Sequence, residues 1–297
     1  MNTKKINIKG AAKTGIQPTV TVAVEQNFPK NQRIVNDNLA PYLFTGINKF
    51  WIWICKFAFI RNGLVRFTEK LMKGGWSLFL VRKRYIDSKL IETIQEQHIK
   101  SVVNLGAGMD TRLFRFPEVQ NIKSWEVDLL VNIKSKYKAI TRALGYFPSH
   151  ITQVPINFIE EDIEVKLKEK GYQSKEKTFF IWEAVSQYLD ESSILKMFKF
   201  FSNAPSGSYL TFTYVLKDFV EGVNLYDQEL LYKNTVKKNI WKSGFYAQEI
   251  ASKLKEYGWV LIEDIDYDGL NDRYVKPTGR KLGVVKIERV VFAKKIN

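Results

Sequence analysis

The segment Ser101-Val102-Val103-Asn104-Leu105-Gly106-Ala107-Gly108-Met109-Asp110-Thr111-Arg112 is the most informative part of the sequence for the fold class. Residues 102–105 form a short apolar run without polar alternation, which is typical of a strand buried on both faces. Gly106 and Gly108 then let the backbone turn sharply and approach a ligand without an intervening Cβ atom. A short helix or turn follows, and amides at the start of such a helix can bind a polar ligand group. The stretch therefore predicts the first strand–loop–helix unit of a nucleotide-type α/β fold.

Strand and helix patterns alternate outward from this unit and predict a mainly parallel sheet. The predicted strands are 101–105, 122–127, 151–158, 178–182, 209–215, 259–265 and 286–293. Helices are expected at 77–97, 129–144, 161–170, 192–201 and 247–257. The helix at 129–144 is expected to be basic on its exposed side, with Lys136 among the exposed residues. No clear helix joins the last two strands, so we expect them to pair as a hairpin at one edge.

Composition describes an ordered basic protein of 297 residues, with 45% hydrophobic and 14% aromatic residues. The single cysteine, Cys55, excludes an internal disulfide and favours a reducing, cytoplasmic compartment. Residues 1–20 show no pattern of a secretory signal. The net charge of +15 is compatible with nucleic acid, an anionic membrane or acidic substrates. We favour a lysine-rich solvated surface, because the lysines are spread along the chain and no nucleic-acid module is visible.

The segment 47–60 is the most apolar part of the chain and includes Trp51 and Trp53. It is too short to span a bilayer, which needs about 20 apolar residues, and Lys56 interrupts it. One interpretation is a helix that covers a ligand cavity, and the other is an element lying in a membrane interface. Apolar residues on both sides of the segment favour the covering helix, since an interfacial helix should have a polar face.

Three regions follow from these patterns. Residues 1–18 are expected to form a flexible basic arm, and residues 19–76 an N-terminal helical cap. Residues 77–297 are expected to form the α/β domain, with a helical insertion at about 216–245 where the strand–helix alternation is interrupted.

Candidate binding residues lie where predicted strands end, because open parallel sheets bind ligands beyond the carboxyl ends of their strands. These positions are the glycines at 106 and 108, then Asp128, Asn157 and Glu183. The Asp128 carboxylate could accept hydrogen bonds from both hydroxyls of a ribose. On spacing alone, a helix cap is an equally good interpretation of Asp128.

The glycine loop discriminates between cofactors. Thr111 occupies the third-glycine position of the dinucleotide fingerprint, and Asp110 would bring negative charge towards a pyrophosphate. S-adenosylmethionine has no phosphate and carries a sulfonium and an ammonium group, so acidic residues around the loop are compatible with it.

Three motifs together resemble the leucine carboxyl methyltransferase family, and in particular its bacterial branch of S-adenosylmethionine-dependent methyltransferases. They are residues 104–112, Trp125-Glu126-Val127-Asp128, and Trp182-Glu183-Ala184-Val185 with Tyr188-Leu189. Arg84-Tyr85-Ile86-Asp87 and residues 273–289 agree with the family, and the likeness covers about 20–295. The resemblance implies a class I methyltransferase fold, with a Rossmann-like seven-stranded sheet, helices on both faces and an N-terminal helical cap.

The resemblance also implies which residues bind the cofactor. Arg84 would pair with the methionine carboxylate of S-adenosylmethionine, Asp128 would hold the ribose, and Glu183 would lie by the ammonium or sulfonium end. The full implied set is Arg84, Asn104, Gly106, Ala107, Gly108, Asp128, Asn157, Phe158 and Glu183.

Two positions depart from the family pattern. Asn157 and Phe158 replace the usual Asp-Leu pair that contacts adenine, which leaves Asp162 as a rival for the acidic role. Ala184 replaces the glycine that commonly follows the motif glutamate, a small change that we expect to leave the site intact.

The expected reaction is methyl transfer to an oxygen of a small-molecule acceptor. A carboxylate is favoured over a hydroxyl because it is already ionised near neutral pH and needs no general base. His98 and His150 both precede strands, at the opposite end of the sheet, so neither is a good base, and we assign no catalytic residue or metal site. Substrate-side candidates are Arg112, Tyr188 and Arg280.

Two other functions stay open at this point. One is a non-catalytic binding protein that uses its basic and aromatic surface on a membrane or nucleic acid, and the other is methylation of a protein or tRNA acceptor.

Overall fold

A seven-stranded sheet in the order β3-β2-β1-β4-β5-β7-β6 forms the centre of the computed structural model, which describes residues 16–296. The predictions for the first, fourth, fifth and sixth strands match the observed bounds, whereas the third strand ends earlier and the seventh begins and ends later. The strands are β1 (Ser101–Leu105), β2 (Lys123–Asp128), β3 (Ile151–Pro155), β4 (Thr178–Trp182), β5 (Tyr209–Val215), β6 (Trp259–Ile265) and β7 (Glu288–Lys295).

Only β7 runs against the other strands. It pairs antiparallel with both β5 and β6, whereas the pairs from β3 through β5 are all parallel. The predicted mainly parallel sheet and the antiparallel pairing of the last two strands are therefore confirmed. The order of strands along the chain reverses between β1 and β4, and open sheets bind ligands in the crevice at such a point.

Helices cover both faces of this sheet. They are α1 (Ile16–Glu25), α2 (Gly46–Ile54), α3 (Ala58–Leu71), α4 (Leu78–Gln97), α5 (Arg112–Arg115), α6 (Leu130–Leu144), α7 (Ile163–Glu169), α8 (Glu191–Ser202), α9 (Lys217–Val220), α10 (Glu229–Thr235), α11 (Ile250–Glu256) and α12 (Tyr267–Leu270). The segment between β6 and β7, in which no clear helix is predicted, contains the short α12, a π-helical turn and a 3-10 turn.

Two hydrophobic cores lie on opposite faces of the sheet. Val102 and Phe179 pack into one core, and their neighbours Val103 and Phe180 pack into the other. Successive strand residues point to opposite faces, so a strand covered on both faces must be apolar throughout. Every residue of β1 and β4 is buried, which accounts for the continuous apolar runs in the sequence.

The N-terminal region differs from expectation in two respects. Residues 1–15 of the predicted arm lie outside the described part of the chain, and residues 16–18 belong to α1. The apolar segment 47–60 forms parts of two helices, because α2 ends at Ile54 and α3 begins at Ala58. The buried Arg61 donates hydrogen bonds to the carbonyls of Cys55 and Lys56, both at 3.3 Å, so it satisfies groups that the helix end leaves open.

The insertion after β5 contains α9 and α10 and returns to its starting point. Leu216 and Phe245 form an isolated parallel bridge, and the Lys217 amide donates to the Phe245 carbonyl at 3.0 Å.

Between residues 16 and 296, no helix combines the length and the apolar character needed to cross a membrane.

A buried ion pair joins α6 to β2. Lys136 is fully buried, in contrast to its expected exposure, and its ammonium pairs with the buried Glu126 carboxylate. The same ammonium lies 3.4 Å from the Ala107 carbonyl, so it also supports the glycine loop. Burial raises the pKa of Glu126 to about 7, although Lys136 acts in the opposite direction.

We expect Lys136→Met to lower the free energy of unfolding by about 3 kcal/mol near pH 8, because it leaves an unpaired buried carboxylate. The loss should be smaller near pH 6. Without Lys136 the native pKa of Glu126 rises further above its unfolded value, so protonation favours the folded state as the pH falls. Urea unfolding at both pH values measures this. The exposed Lys134→Met should change stability by less than about 0.5 kcal/mol, and an equal loss at both pH values would contradict the expectation.

Candidate cofactor and acceptor site

A cavity of about 840 Å³ opens where β1, β2 and β4 end. Eight of the nine predicted cofactor residues line this cavity, because each follows or closes a strand whose carboxyl end lies at the same edge of the sheet. They are Asn104, Gly106, Ala107, Gly108, Asp128, Asn157, Phe158 and Glu183. The structure thus brings together the motifs that the sequence singled out, although their roles stay predictions.

The glycine loop is held tightly against the end of β2. Gly106 and Gly108 have φ angles of +69° and +44°, in the left-handed region that favours glycine. The amides of Gly106 and Ala107 both donate to the Val127 carbonyl, at 2.7 and 3.2 Å. A Cβ atom on Gly106 would lie only 2.2 Å from a methyl group of Val185, beyond β4. Gly106 is therefore required both for its conformation and for the close approach of the two strand ends.

Asp128 joins the glycine loop to the start of α6, but it is not the helix cap, because Leu129 is the N-cap residue of α6 and no side chain caps that helix. Its Oδ2 accepts from the Gly108 amide at 2.6 Å, and its Oδ1 accepts from Leu129 and Asn132 at the start of α6. The side chain also lines the cavity. Burial raises the pKa of Asp128, and these three donors oppose that shift. Since each carboxylate oxygen accepts two hydrogen bonds, Oδ2 keeps an acceptor position for a ligand hydroxyl.

The two candidates for the adenine contact, the Asn157-Phe158 pair and Asp162, lie in different places in the structure. The Asn157 side-chain oxygen accepts from the Ile159 amide at 3.2 Å, and Asn157 and Phe158 both line the cavity. Asp162 is exposed and caps α7 by accepting from the Val165 amide at 3.1 Å. Asp162 is not among the cavity residues, so the structure favours the Asn157-Phe158 pair for the adenine position.

Beneath the cavity, buried acidic and basic side chains form a closed series of ion pairs, here called the ion-pair ring. It contains five carboxylates and four basic groups, so it holds one carboxylate more than it holds cations. The carboxylates belong to Asp37, Asp87, Asp110, Glu183 and Glu288, and the basic groups to Arg82, Lys83, Arg112 and Arg115.

Glu183 has both carboxylate oxygens engaged in this ring. One oxygen lies 3.0 Å from Arg82 Nε and the other 2.8 Å from Arg112 Nη2. Burial alone would raise the pKa of Glu183, but the two guanidinium groups hold it below its ordinary value. The same competition, won by Arg112 and Lys83, keeps the pKa of Asp110 well below its ordinary value. Both carboxylates are therefore ionised and are weak bases.

Arg84 is the predicted cofactor residue that the structure places elsewhere. Its side chain is exposed, whereas the preceding Arg82 and Lys83 line the cavity. Successive side chains of a helix point about 100° apart, so three consecutive basic residues cannot all face the cavity. Arg82 lies four residues from both Leu78 and Ile86 in the buried stripe of α4, and this spacing could have identified it from the sequence.

The substrate-side candidates separate in the same way. Tyr188 lies in a 3-10 turn after β4 and lines the cavity. Arg112 is fully buried in the ion-pair ring and is not a cavity residue. Arg280 pairs with Glu25 at 2.7 Å and stacks on the Phe28 ring at 3.8 Å, also away from the cavity. The structure therefore places Tyr188 at the cavity and Arg112 and Arg280 outside its lining, and the role of each in substrate binding stays a prediction.

The far wall of the cavity is largely apolar. It is formed by the start of α1, the residues after α3, and the insertion around α10. None of residues 47–60 lines the cavity, so this segment is not part of the cavity wall, whereas Thr19, Val22 and Met72 of the predicted cap are. The apolar wall residues include Val22, Met72, Phe79, Leu189, Leu231, Ile240 and Trp241.

Comparison with known proteins assigns the family. A family model described as leucine carboxyl methyltransferase matches residues 15–202, which is more than half of the chain. The chain belongs to the leucine carboxyl methyltransferase family. Family membership makes it an S-adenosylmethionine-dependent methyltransferase. The cavity residues fit that cofactor, because the Gly106 loop permits close approach and the excess carboxylate of the ion-pair ring favours a cation.

Similar proteins agree with this assignment. The chain is 26% identical to a Bacillus subtilis protein named "Putative S-adenosyl-L-methionine-dependent methyltransferase YktD" over 269 residues, which cover 89% of this chain and 82% of that protein. The crystal structure of a "putative methyltransferase" from Thermobifida fusca has a TM-score of 0.55 at 14% identity and covers 80% of this chain and 89% of its own. A DUF574 family protein from Streptomyces avermitilis has a TM-score of 0.56 at 11% identity and covers 94% and 97%. These two structures share the fold.

Ala184 marks a position where this family member departs from the family glycine at some cost. Its φ angle is +55°, a left-handed conformation that residues with a Cβ atom rarely adopt. Its amide donates to Thr213 Oγ1 at 2.8 Å, which holds the backbone in this conformation at the end of β4. The glycine of the family pattern would relieve this strain.

We expect Ala184→Gly to raise the free energy of unfolding by about 0.5–1 kcal/mol, since the strain relieved exceeds the added entropy of the unfolded chain. The matched control Ala139→Gly, in the middle of α6, should lower it by about 1 kcal/mol or more. Urea unfolding of the three proteins measures both changes. A destabilised Ala184→Gly variant would show that the left-handed backbone carries no such cost.

Proposed function

We propose that the protein transfers a methyl group from S-adenosylmethionine to a carboxylate oxygen of a small-molecule acceptor. The observation that carries the proposal is the character of the titratable groups in the cavity. No histidine lines it within residues 16–296, and Asp110 and Glu183 are held ionised in ion pairs. An acceptor that is already an anion needs no proton removed, and a carboxylate with a pKa of about 4 meets this condition at neutral pH.

The cofactor position in this proposal follows the strand ends. Asp128 would accept from the ribose hydroxyls through its remaining acceptor position. The Asn157 amide and the Phe158 ring would contact adenine, and Lys83 would replace Arg84 as the partner of the methionine carboxylate. The excess carboxylate of the ion-pair ring would favour the ammonium and sulfonium groups.

The protein's own contribution to the reaction would be binding, orientation and exclusion of water. When bound, S-adenosylmethionine supplies an electrophilic methyl group to the acceptor oxygen. The buried ion-pair ring fixes the strand ends on which the cofactor lies, and the apolar far wall keeps water from the reacting oxygen. Alignment of two bound reactants in a desolvated site can supply much of the rate enhancement without a general base.

The far wall also indicates the class of acceptor. Leu231, Ile240 and Trp241 present apolar surface to the cavity, and Tyr188 presents a phenol. The side-chain oxygen of Gln187 is buried and has no hydrogen-bond partner within the described residues. An acceptor with an apolar body and a hydrogen-bond donor near its carboxylate would satisfy both kinds of surface.

A hydroxyl acceptor is the second candidate, and Glu288 favours it. Glu288 lines the cavity, and its two oxygens lie 2.8 and 2.9 Å from Arg82 Nη1. Burial raises the pKa of Glu288 despite the opposing charge of Arg82. A carboxylate with a raised pKa is a better proton acceptor than Asp110 or Glu183, so Glu288 would be the base for such an acceptor.

Asp128→Ala should weaken S-adenosylmethionine binding by about 1–3 kcal/mol, or roughly 5- to 150-fold, because a buried charged hydrogen bond is lost. Isothermal titration of the cofactor into wild type and variant measures this. Asp162→Ala, which removes an exposed helix cap outside the cavity, should leave the affinity unchanged. Failure of the wild type to bind the cofactor would refute the proposal and leave the non-catalytic function.

The chemistry of the product distinguishes the two acceptors. After incubation with radiolabelled S-adenosylmethionine and a panel of small carboxylic acids and phenols, a carboxyl methyl ester should release volatile methanol in mild base. A methyl ether from a hydroxyl acceptor is stable under the same treatment. Because Glu288 belongs to the ion-pair ring, Glu288→Gln should lower the maximal rate on both acceptors, but the loss should be at least about 100-fold larger on a hydroxyl than on a carboxylate. If all of the transferred radiolabel were stable in base, the proposal of a carboxylate acceptor would be rejected.

A further inference from the structure

The helices α2 and α3 expose an unusual number of aromatic rings. Six of these rings are between 48% and 76% exposed, although large apolar side chains on a protein surface normally occur singly. We call this surface the aromatic hairpin face. Its rings belong to Phe50, Trp51, Trp53, Phe57, Phe59 and Phe67.

The opposite side of the same two helices is firmly attached to the protein. Ile52, Cys55 and Val65 are buried in the hydrophobic core. The Asn27 side chain donates to the Ile52 carbonyl at 2.9 Å, and the Arg61 guanidinium lies 4.3 Å from the centre of the Phe28 ring. The aromatic hairpin face is therefore exposed by a packed arrangement.

Five of the six exposed rings, all except Phe67, contact one another and form a continuous patch. The ring centre of Phe50 lies 6.1 Å from the ring centre of Trp51 and 6.1 Å from that of Trp53. The patch continues around the turn, with 6.1 Å from Trp53 to Phe57 and 6.4 Å from Phe57 to Phe59. Water is excluded only partly from such a patch, so its burial against another apolar phase is favourable.

Residues 42–73, which carry this patch, also carry positive charge without ion-pair partners among the described residues. Five basic side chains in residues 42–73 are exposed and form no ion pair within the described part of the chain. The single acid in this range is Glu69, and its carboxylate accepts from the amides of Gly74, Trp76 and Gly283. The exposed cations are Lys49, Lys56, Arg66, Lys70 and Lys73.

We propose that the aromatic hairpin face binds the surface of an anionic lipid bilayer. Tryptophan and phenylalanine rings would enter the interface between headgroups and acyl chains, and the lysine and arginine groups would contact lipid phosphates. Helices of 9 and 14 residues are too short to cross the bilayer, so the hairpin lies on its surface.

Charge and composition favour lipid over two other partners. A two-fold dimer through this face would bring five cations of one protomer against five of the other without acidic groups to pair them. Single-stranded nucleic acid would stack on the rings, but it would leave the exposed Ile47, Leu64 and Leu71 of the same helices without an apolar partner. A lipid interface accommodates the aromatic, aliphatic and basic groups together.

Binding to vesicles tests the proposal and requires neither cofactor nor acceptor, so its outcome is independent of the proposed reaction. The full chain is mixed with vesicles of equal parts phosphatidylcholine and phosphatidylglycerol, and with vesicles of phosphatidylcholine alone. Co-sedimentation gives the partition coefficient, and the blue shift of tryptophan emission reports insertion. We expect binding to the anionic vesicles, with a blue shift, and at least about tenfold weaker binding to phosphatidylcholine.

Variants separate the apolar and ionic contributions. Trp51→Ser/Trp53→Ser should lower the partition coefficient at least about tenfold and abolish the blue shift. Lys56→Ala should lower it about fivefold, the effect of one cation near an anionic surface. The control Ile262→Ser, which removes an exposed apolar residue from β6, should bind as the wild type does. Thermal unfolding establishes that each variant is folded.

Three results would overturn the proposal. The first is absence of binding to anionic vesicles, or equal binding to both lipid compositions. The second is a dimer in lipid-free solution that Trp51→Ser/Trp53→Ser dissociates, combined with no vesicle binding. The third is binding of a single-stranded oligonucleotide that the same variant abolishes, again without vesicle binding.

Discussion

The guanidinium of Arg112 is completely shielded from solvent and contacts carboxylates from three different elements. Its Nε lies 3.1 Å from Asp87 in α4, its Nη2 lies 2.8 Å from Glu183 after β4, and its Nη1 lies 3.0 Å from Asp110 in the glycine loop. The contact between Nη1 and Asp110 is an ion pair but does not have the geometry of a hydrogen bond. Removing one partner from such a buried group leaves an uncompensated charge and is strongly destabilising. Arg112 therefore holds these elements in one arrangement, and the floor of the cavity depends on it.

This constraint divides the cavity into two chemically different halves. The floor is ionic and preorganised. Each basic group of the ion-pair ring binds at least two carboxylates, so moving it away from one carboxylate would also break its ion pair with another. The opposite wall is apolar and comes from segments outside the sheet, including the insertion around α10. A charged cofactor suits the first half, and an acceptor with an apolar body suits the second. We propose that the strand ends bind the cofactor and that the segments outside the sheet select the acceptor.

Local sequence patterns and the family resemblance were sufficient to locate the sheet and most of the strand-end residues that line the cavity. A strand buried on both faces must be apolar throughout, so β1 and β4 could be located to the residue. Residues at strand ends meet at one edge whenever the sheet is parallel, so Asp128 and Glu183 could be placed together without coordinates. The left-handed Ala184 could be suspected only through the family resemblance, because alanine itself carries no signal of that conformation.

The strands, the glycine loop and the residues at the strand ends depend on periodicity and topology, so the amino-acid pattern was enough to place them. Which basic residues are buried depends on the folded chain, because an ion pair needs partners that are distant in sequence. Arg82 meets Glu183 and Glu288, which lie 101 and 206 positions away, whereas its neighbour Arg84 points to solvent. The same reason explains why Lys136 is buried beside Glu126 and why Arg280 binds Glu25. Side-chain burial also gave residues 47–60 a different character from the one that their apolar pattern favours, because their aromatic rings are exposed and none of them lines the cavity.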